Sequence, residues 1–105
     1  MEQRKYPRVD IETEALIRNG ANDFRGTLRN ISFCGIYVST ESRIPLGAGA
    51  EVIFAATLPS RKGVVKIQGK VVRTDDKGIA FSVQNIDVDS FINLHLIVAR
   101  RAATA

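Results

Sequence analysis

Apolar and polar residues alternate along most of this chain. The clearest segment is 9–18, in which valine, isoleucine, threonine and alanine at the odd positions alternate with Asp10, Glu12, Glu14 and Arg18. A period of two residues is typical of β-strands that bury one face. Further segments with apolar residues at every second position are 24–29, 36–40, 52–58, 65–71 and 79–83. The pattern therefore predicts six short strands.

Turn-forming residues separate the six segments. An Asn-Gly pair stands at 19–20, residues 44–49 contain one proline and two glycines, and 75–78 is Asp-Asp-Lys-Gly. These residue types favour tight turns. Short strands with close turns predict a small antiparallel β-barrel, in which Gly69 relieves a bend. At 30–32 the apolar parity flips, and because a regular strand cannot change faces, we expect a bulge or a turn there.

The last segment changes period. Phe91, Leu94 and Val98, joined by Ile92 and Ala99, form an apolar stripe at helical spacing. An aspartate at 87 or 89 can cap this helix, and the arginine pair at 100–101 complements the negative end of its dipole. We expect the helix to cover one open side or end of the barrel, or to offer its stripe to a partner.

Length and patterning together predict one mainly β domain. A chain of 105 residues suits a single core. We expect a flexible arginine-containing arm at 1–8, a six-stranded antiparallel barrel at 9–85 and a C-terminal helix at 87–101.

Net charge and cysteine content indicate the type of partner and the cellular compartment. The formal net charge of +4 favours anionic partners, although it does not choose among them. Cys34 is the only cysteine, which fits a reducing compartment. The polar start of the chain lacks a signal sequence, and the apolar run 91–99 is too short to span a bilayer. We therefore expect a cytoplasmic protein without membrane insertion.

No catalytic or metal-binding set can be assembled from the sequence. His95 is the only histidine and has no ligand-type residue at metal spacing, so we expect it on the helix surface or in packing. Cys34 has no base beside it in sequence and is expected to be semi-buried. The carboxylate pair at 75–76 is explained by a hairpin turn. The pattern indicates neither an enzyme nor a protein with a cofactor.

The first candidate binding motif is the N-terminal segment 4–8. Arg4 and Arg8 stand four positions apart, and Pro7 between them stiffens the local chain. A guanidinium gives paired hydrogen bonds to phosphate oxygens, and it can also bond or stack on guanine. Two arginines on one arm could therefore hold a ligand that carries both phosphates and guanines. The alternative is a solvated basic tail.

The second candidate motif lies where the parity flips. The side chains of Asn30 and Ser32 can satisfy backbone groups in a turn, and Gly35 allows close approach of a ligand to the backbone. In a functional interpretation, Asn30 and Ser32 contact a base edge or a phosphate. Turn chemistry alone also explains these residues.

The two motifs together resemble those of the PilZ domain family, whose members are receptors for cyclic di-GMP. That family pairs an RxxxR arm with a downstream (D/N)xSxxG turn, and here Arg4 and Arg8 fill the first motif while Asn30, Ser32 and Gly35 fill the second. The residues at 71–73 and 78–81 resemble the family's later strands. The resemblance implies that the arm wraps over the barrel, becomes ordered around the ligand and so creates a surface for a separate effector protein. Arg29 and Arg73 are possible further contacts.

Two other functions remain open at this stage. A PilZ-like adaptor could act through protein contacts alone, although the intact motifs argue against that. A small-barrel nucleic-acid binder is permitted by the positive charge, but such modules use exposed aromatic rings as stacking platforms. Tyr6, Phe33 and Tyr37 are the only aromatic residues near the arm, and they form no repeated stacking pattern.

Overall fold

The computed structural model describes residues 8–20, 22–58 and 62–104, with side chains described as far as residue 100. Six antiparallel strands form a closed barrel in the order β1-β2-β3-β6-β5-β4, followed by one helix. This confirms the mainly β fold with a C-terminal helix. The elements are β1 (Val9–Asn19), β2 (Asn22–Ile31), β3 (Gly35–Ser39), β4 (Gly49–Thr57), β5 (Lys62–Thr74), β6 (Gly78–Ile86) and α1 (Val88–Thr104).

The apolar member of each alternating pair points into the barrel. Ile17, Leu28, Ile67 and Phe81 are at most 1% exposed and belong to one continuous core. Gly69 faces this core at a register shift in the β5–β6 pairing, where an added Cβ would lie 3.2 Å from the Cβ of Phe81. The absence of a side chain at Gly69 therefore lets β5 and β6 approach around the Phe81 ring.

The expected break in parity is a bulge in β2. Leu28 and Ile31 are both fully buried although they stand three positions apart. The β2–β3 register shifts between Leu28 and Asn30, so that Arg29 is the extra residue. A turn at 32–34 then leads into β3. The bulge turns Asn30 to the outside and still returns Ile31 to the core.

Helix α1 packs on β5 and β1 through a face that differs from the predicted one. Asp87 is the cap, because its Oδ2 accepts a hydrogen bond of 3.1 Å from the backbone N–H of Ser90. Leu94 and Val98 are buried as expected, together with Ile97.

The predicted stripe is wrong at Phe91, Ile92 and Ala99, which are exposed. These residues are exposed because two polar side chains, Ser90 and Asn93, face the barrel instead. Ser90 accepts a 2.9 Å hydrogen bond from the N–H of Lys66, and Asn93 donates a 3.0 Å hydrogen bond to the carbonyl of Val64. These two bonds to the β5 backbone fix the rotation of α1. Within the described residues, no helix has the length and apolar character needed to cross a membrane.

Candidate functional site

The turn between β2 and β3 is organised by a buried serine. Ser32 is 4% exposed, and its Oγ accepts hydrogen bonds from the backbone N–H groups of Cys34 at 3.3 Å and Gly35 at 3.2 Å. The backbone N–H of Ser32 donates to the carbonyl of Gly35 at 2.9 Å. Ser32 therefore lies beneath the surface and shapes the turn from inside.

Strand register aligns several outward side chains in one row on the barrel surface. Asn30 on β2 pairs with Tyr37 on β3, Tyr37 pairs with Ala80 on β6, and Ala80 pairs with Arg73 on β5. Directly opposed residues in antiparallel strands project from the same face of the sheet. Residues that are distant in sequence thus become neighbours across four strands.

A shallow groove of 510 Å³ lies over this row. Its outward floor consists of small residues, because Gly35 pairs with Ser82 next to the Tyr37–Ala80 pair. An added Cβ at Gly35 would lie 3.2 Å from the carbonyl oxygen of Phe81, tighter than an ordinary contact. A flat floor of glycine, alanine and serine leaves room for a planar group to rest on the sheet.

The groove brings together three of the five residues expected from the sequence. Arg8, which is exposed, lines it together with Asn30 and Gly35. Ser32 supports the groove from below and does not line it. Arg4 lies outside the described residues, as does the rest of the expected arm apart from Arg8.

The opposite wall of the groove contains Arg73, which the sequence offered as a possible contact, together with Tyr37 and Asp75, which it did not. The Tyr37 hydroxyl donates a 2.8 Å bond to Asp75 Oδ1, and the same oxygen accepts bonds from the N–H groups of Lys77 and Gly78. The guanidinium carbon of Arg73 lies 5.8 Å from the centre of the Tyr37 ring. This distance fits a cation–π contact, which the small Ala80 between them permits.

Hydrogen bonding sets the ionisation of this wall. Partial burial and the bond to Asp75 raise the pKa of Tyr37 above its ordinary value. The Tyr37 hydroxyl and the turn N–H groups lower the pKa of Asp75. At neutral pH the wall therefore combines a neutral phenol, a carboxylate and a guanidinium. The only sequence signal for Tyr37 was its outward parity in β3, and its neighbours could not be known without the strand order.

Two other arginines serve structural contacts at the surface. Arg29, a possible ligand contact, forms a 2.8 Å ion pair with Glu12 and does not line the groove. Arg43 donates a 2.6 Å bond from Nη2 to the carbonyl of Asp75 and so holds the β5–β6 turn. Arg8 and Arg73 form no ion pair with any other described residue, which leaves both guanidiniums available to an anion.

Cys34 differs from expectation. It is exposed rather than semi-buried, because the turn held by Ser32 directs it to the rim of the groove. Its Sγ lies 3.4 Å from the Ser32 Oγ. His95 lies on the helix surface, with its ring 5.8 Å from that of Phe33. Among residues 8–20, 22–58 and 62–104, no three His, Cys, Asp or Glu side chains cluster as a metal site requires.

Comparison with known proteins adds an independent observation. The sequence matches the PilZ domain family over residues 2–100. Among curated proteins, none matches it. The fold is similar to the Bacillus subtilis inhibitor of motility MotI, with a TM-score of 0.84 and 20% identity over 99% of this chain and 53% of that one. This chain thus spans about half the length of MotI.

Two further solved structures share the fold. The PilZ domain of Escherichia coli YcgR, solved with c-di-GMP, has a TM-score of 0.75 and 13% identity over 98% of this chain and 94% of that one. The PlzA protein of Borreliella burgdorferi, solved in complex with c-di-GMP, has a TM-score of 0.63 and 14% identity over 92% of this chain and 41% of that one. At these identities the similarity establishes the fold alone.

Proposed function

This chain belongs to the PilZ domain family. On that basis we propose that it is a cytoplasmic receptor for cyclic di-GMP. The ligand binds in the groove between Arg8 and the opposite wall, which Tyr37, Arg73 and Asp75 form. PilZ domains are receptor and adaptor domains rather than enzymes. A receptor role here means that ligand binding changes the surface that the domain presents to another protein. The groove supplies the polar and flat surfaces that such a ligand needs.

The observation that carries the proposal is the convergence of Arg8 with Asn30 and Gly35 at one groove. These residues come from two motifs more than twenty positions apart in sequence, and the pairing of Val9 with Ile31 in β1 and β2 brings them together at one groove. The Arg8 guanidinium matches both a phosphate and the O6/N7 edge of guanine. Asn30 offers an amide donor and acceptor at the same rim.

The remaining groove residues fit the other parts of the ligand. The floor at Gly35, Ala80 and Ser82 is low enough for a guanine plane to approach the sheet. Arg73 beside Tyr37 offers a second positive charge for the two phosphates. Ser32 acts as a positioning residue, because it holds the backbone of Gly35 in place.

Arg4 completes the proposed site from the arm. It stands four residues before Arg8, so an extended chain carries it at most about 14 Å from Arg8. That reach is enough to place both arginines on one ligand. Binding would then fix the arm across the groove, and the arm, the ligand and the barrel face together would form the surface for a separate effector protein.

Isothermal titration calorimetry tests this proposal directly. We expect saturable binding of cyclic di-GMP and much weaker binding of GMP and cyclic di-AMP, because adenine offers an N6 donor where guanine offers the O6 acceptor. We expect Arg8→Ala to lower the affinity by at least about tenfold, as the loss of a charge-assisted hydrogen bond implies. Arg25→Ala is the matched control, since Arg25 is exposed and pairs with Glu14 away from the groove. Absence of binding to either dinucleotide would favour a ligand-free adaptor instead.

A further inference from the structure

Helix α1 exposes several large apolar side chains on the side that faces away from the barrel. Val88, Phe91, Ile92 and Leu96 are 74%, 48%, 46% and 41% exposed, and they are four of the seven large apolar side chains that the described residues leave exposed. The buried residues of α1 occupy its other side, namely Ser90, Asn93, Leu94, Ile97 and Val98. Apolar side chains clustered on one exposed face are typical of an interaction surface.

The spacing of this face suits another helix. Val88, Ile92, His95 and Ala99 are separated by four, three and four positions, which is the heptad spacing of a coiled-coil seam. We call these four residues, with Leu96 beside them, the outer strip. At 100° per residue the outer strip lies opposite the face that packs on β5, so the barrel does not obstruct it. Ala99 lets a second helix approach closely.

Opposite charges at the two ends of the outer strip favour a second copy of α1 as the partner, in antiparallel orientation. Asp89 and Arg100 are exposed and form no ion pair with another described residue. They stand eleven positions apart, hence about 16 Å along the axis and only about 20° apart around it. Both therefore lie on the same side of the strip, with the acid at its start and the base at its end. A two-fold axis across the strip would bring each acid beside the base of the other copy.

We propose that α1 pairs antiparallel with α1 of a second copy of this chain, with Val88 against Ala99 and Ile92 against His95 of the other copy, and the two-fold axis between Ile92 and His95. Two ion pairs between Asp89 and Arg100 flank this seam, in which His95 is the one polar residue. The 17 residues of α1 span about 25 Å, and such a seam is smaller than the roughly 800 Å² per partner of a stable complex. We therefore expect a reversible dimer with a dissociation constant of about 10 µM to 1 mM.

Analytical ultracentrifugation of the ligand-free full chain over a wide concentration range tests the interface. We expect a shift from monomer to dimer with rising concentration, and its loss in Ile92→Glu. Leu46→Glu is the matched control, because Leu46 is 67% exposed and lies outside α1. Thermal melts establish that both variants are folded. A wild-type chain that stays monomeric at 1 mM would overturn the proposal, as would a dimer that Ile92→Glu leaves intact.

A charge exchange tests the antiparallel orientation. Asp89→Arg or Arg100→Glu alone changes two symmetry-related pairs, so we expect each to weaken the dimer by roughly three- to tenfold. The double exchange restores opposite charges, and we expect it to recover most of that loss. Recovery of dimer affinity in the double variant cannot come from changes in the stability of α1 within one copy. Two single losses that simply add would overturn the antiparallel arrangement. Because no ligand is present, none of these results depends on cyclic di-GMP binding.

Discussion

Ser32 and Asn30 belong to one short motif, yet their side chains lie in different environments. The Ser32 hydroxyl is buried among the backbone groups of its own turn. Asn30 is half-buried and lines the groove. The sequence motif does not distinguish the two residues. In the structure, Ser32 stabilises the turn and Asn30 lies at the groove surface.

Substitution of these two residues separates the roles. Ser32→Ala leaves the N–H groups of Cys34 and Gly35 without their acceptor, which costs about 1–3 kcal/mol of unfolding free energy. We expect Asn30→Ala to change stability little and to weaken cyclic di-GMP binding more than Ser32→Ala does. Urea denaturation and calorimetry on both variants measure the two quantities. If Ser32→Ala abolished binding at unchanged stability, Ser32 would have to contact the ligand directly.

The bond between Tyr37 and Asp75 gives a second prediction for single residues. Partial burial raises the pKa of Tyr37, and the Asp75 carboxylate raises it further through the hydrogen bond and through its charge. We therefore expect Asp75→Asn to lower the pKa of Tyr37. Ultraviolet titration of the phenol measures this in a Tyr6→Phe background, because the chain has two tyrosines. Asp76→Asn is the control, since Asp76 contributes only a weaker charge effect. An equal shift in both variants would contradict the importance of the hydrogen bond.

At the scale of elements, alternation and turn chemistry were sufficient for the six strands, and the break in parity predicted the β2 bulge. The register and order of the strands could not be predicted in the same way. Tyr37 and Arg73 meet only because β6 lies between β3 and β5. The predicted rotation of α1 was wrong because Ser90 and Asn93 are buried polar residues that form hydrogen bonds to β5. Such bonds cannot be inferred from the spacing of apolar residues.

The N-terminal cap of α1 leads to a prediction about acid stability. The pKa of Asp87 is lowered by its hydrogen bonds with Ser90. A lowered folded-state pKa means that the stabilisation is fully present above the ordinary value near 4 and is lost as pH falls through the lowered value. We expect Asp87→Ala to reduce the free energy of unfolding at pH 7 and to flatten its decline between pH 5 and pH 2. Chemical denaturation across that range measures both effects.

The neighbouring carboxylate at 89 supplies the comparison for this prediction. Asp89 lies in the first turn of the same helix. At a protein concentration that keeps the chain monomeric, Asp89→Ala therefore retains the cap and removes only a favourable charge near the helix dipole. If the two variants showed the same acid dependence, the cap bond would not be the source of the effect.

At the scale of the whole molecule, the groove and the helix are connected through Phe33. This residue lies in the turn that Ser32 organises, and its ring is 5.7 Å from that of Phe91 and 5.8 Å from that of His95. A ligand that shifts the turn will therefore alter the surroundings of both rings on α1.

The most consequential prediction concerns the arm as part of the whole receptor. Residues 1–8 are mostly polar or charged, with Met1, Tyr6 and Pro7 as the exceptions, so they have little apolar area to bury against the barrel. Arg29 contributes less repulsion to the arm than its charge suggests, because it is paired with Glu12; Arg73 is the arginine that shares the groove with Arg8. The Asp75 carboxylate offsets part of the repulsion between the two guanidiniums at this groove, and an anionic ligand between them lowers it further. Cyclic di-GMP supplies two negative charges and two flat bases, which remove that repulsion and give the arm a surface to pack on.

Hydrogen exchange of the full chain, with and without saturating cyclic di-GMP, measures this ordering. We expect the amides of the arm to exchange at least about tenfold more slowly in the complex, which corresponds to about 1.4 kcal/mol of local stabilisation. Arg4→Ala is the discriminating variant: ligand bound through Arg8 alone would protect the groove but leave the arm unprotected. Amides in the middle of β4, which does not line the groove, serve as the internal reference. An arm that is equally protected in the free protein would exclude ordering of the arm as the signal and would leave the bound ligand itself as the change that an effector detects.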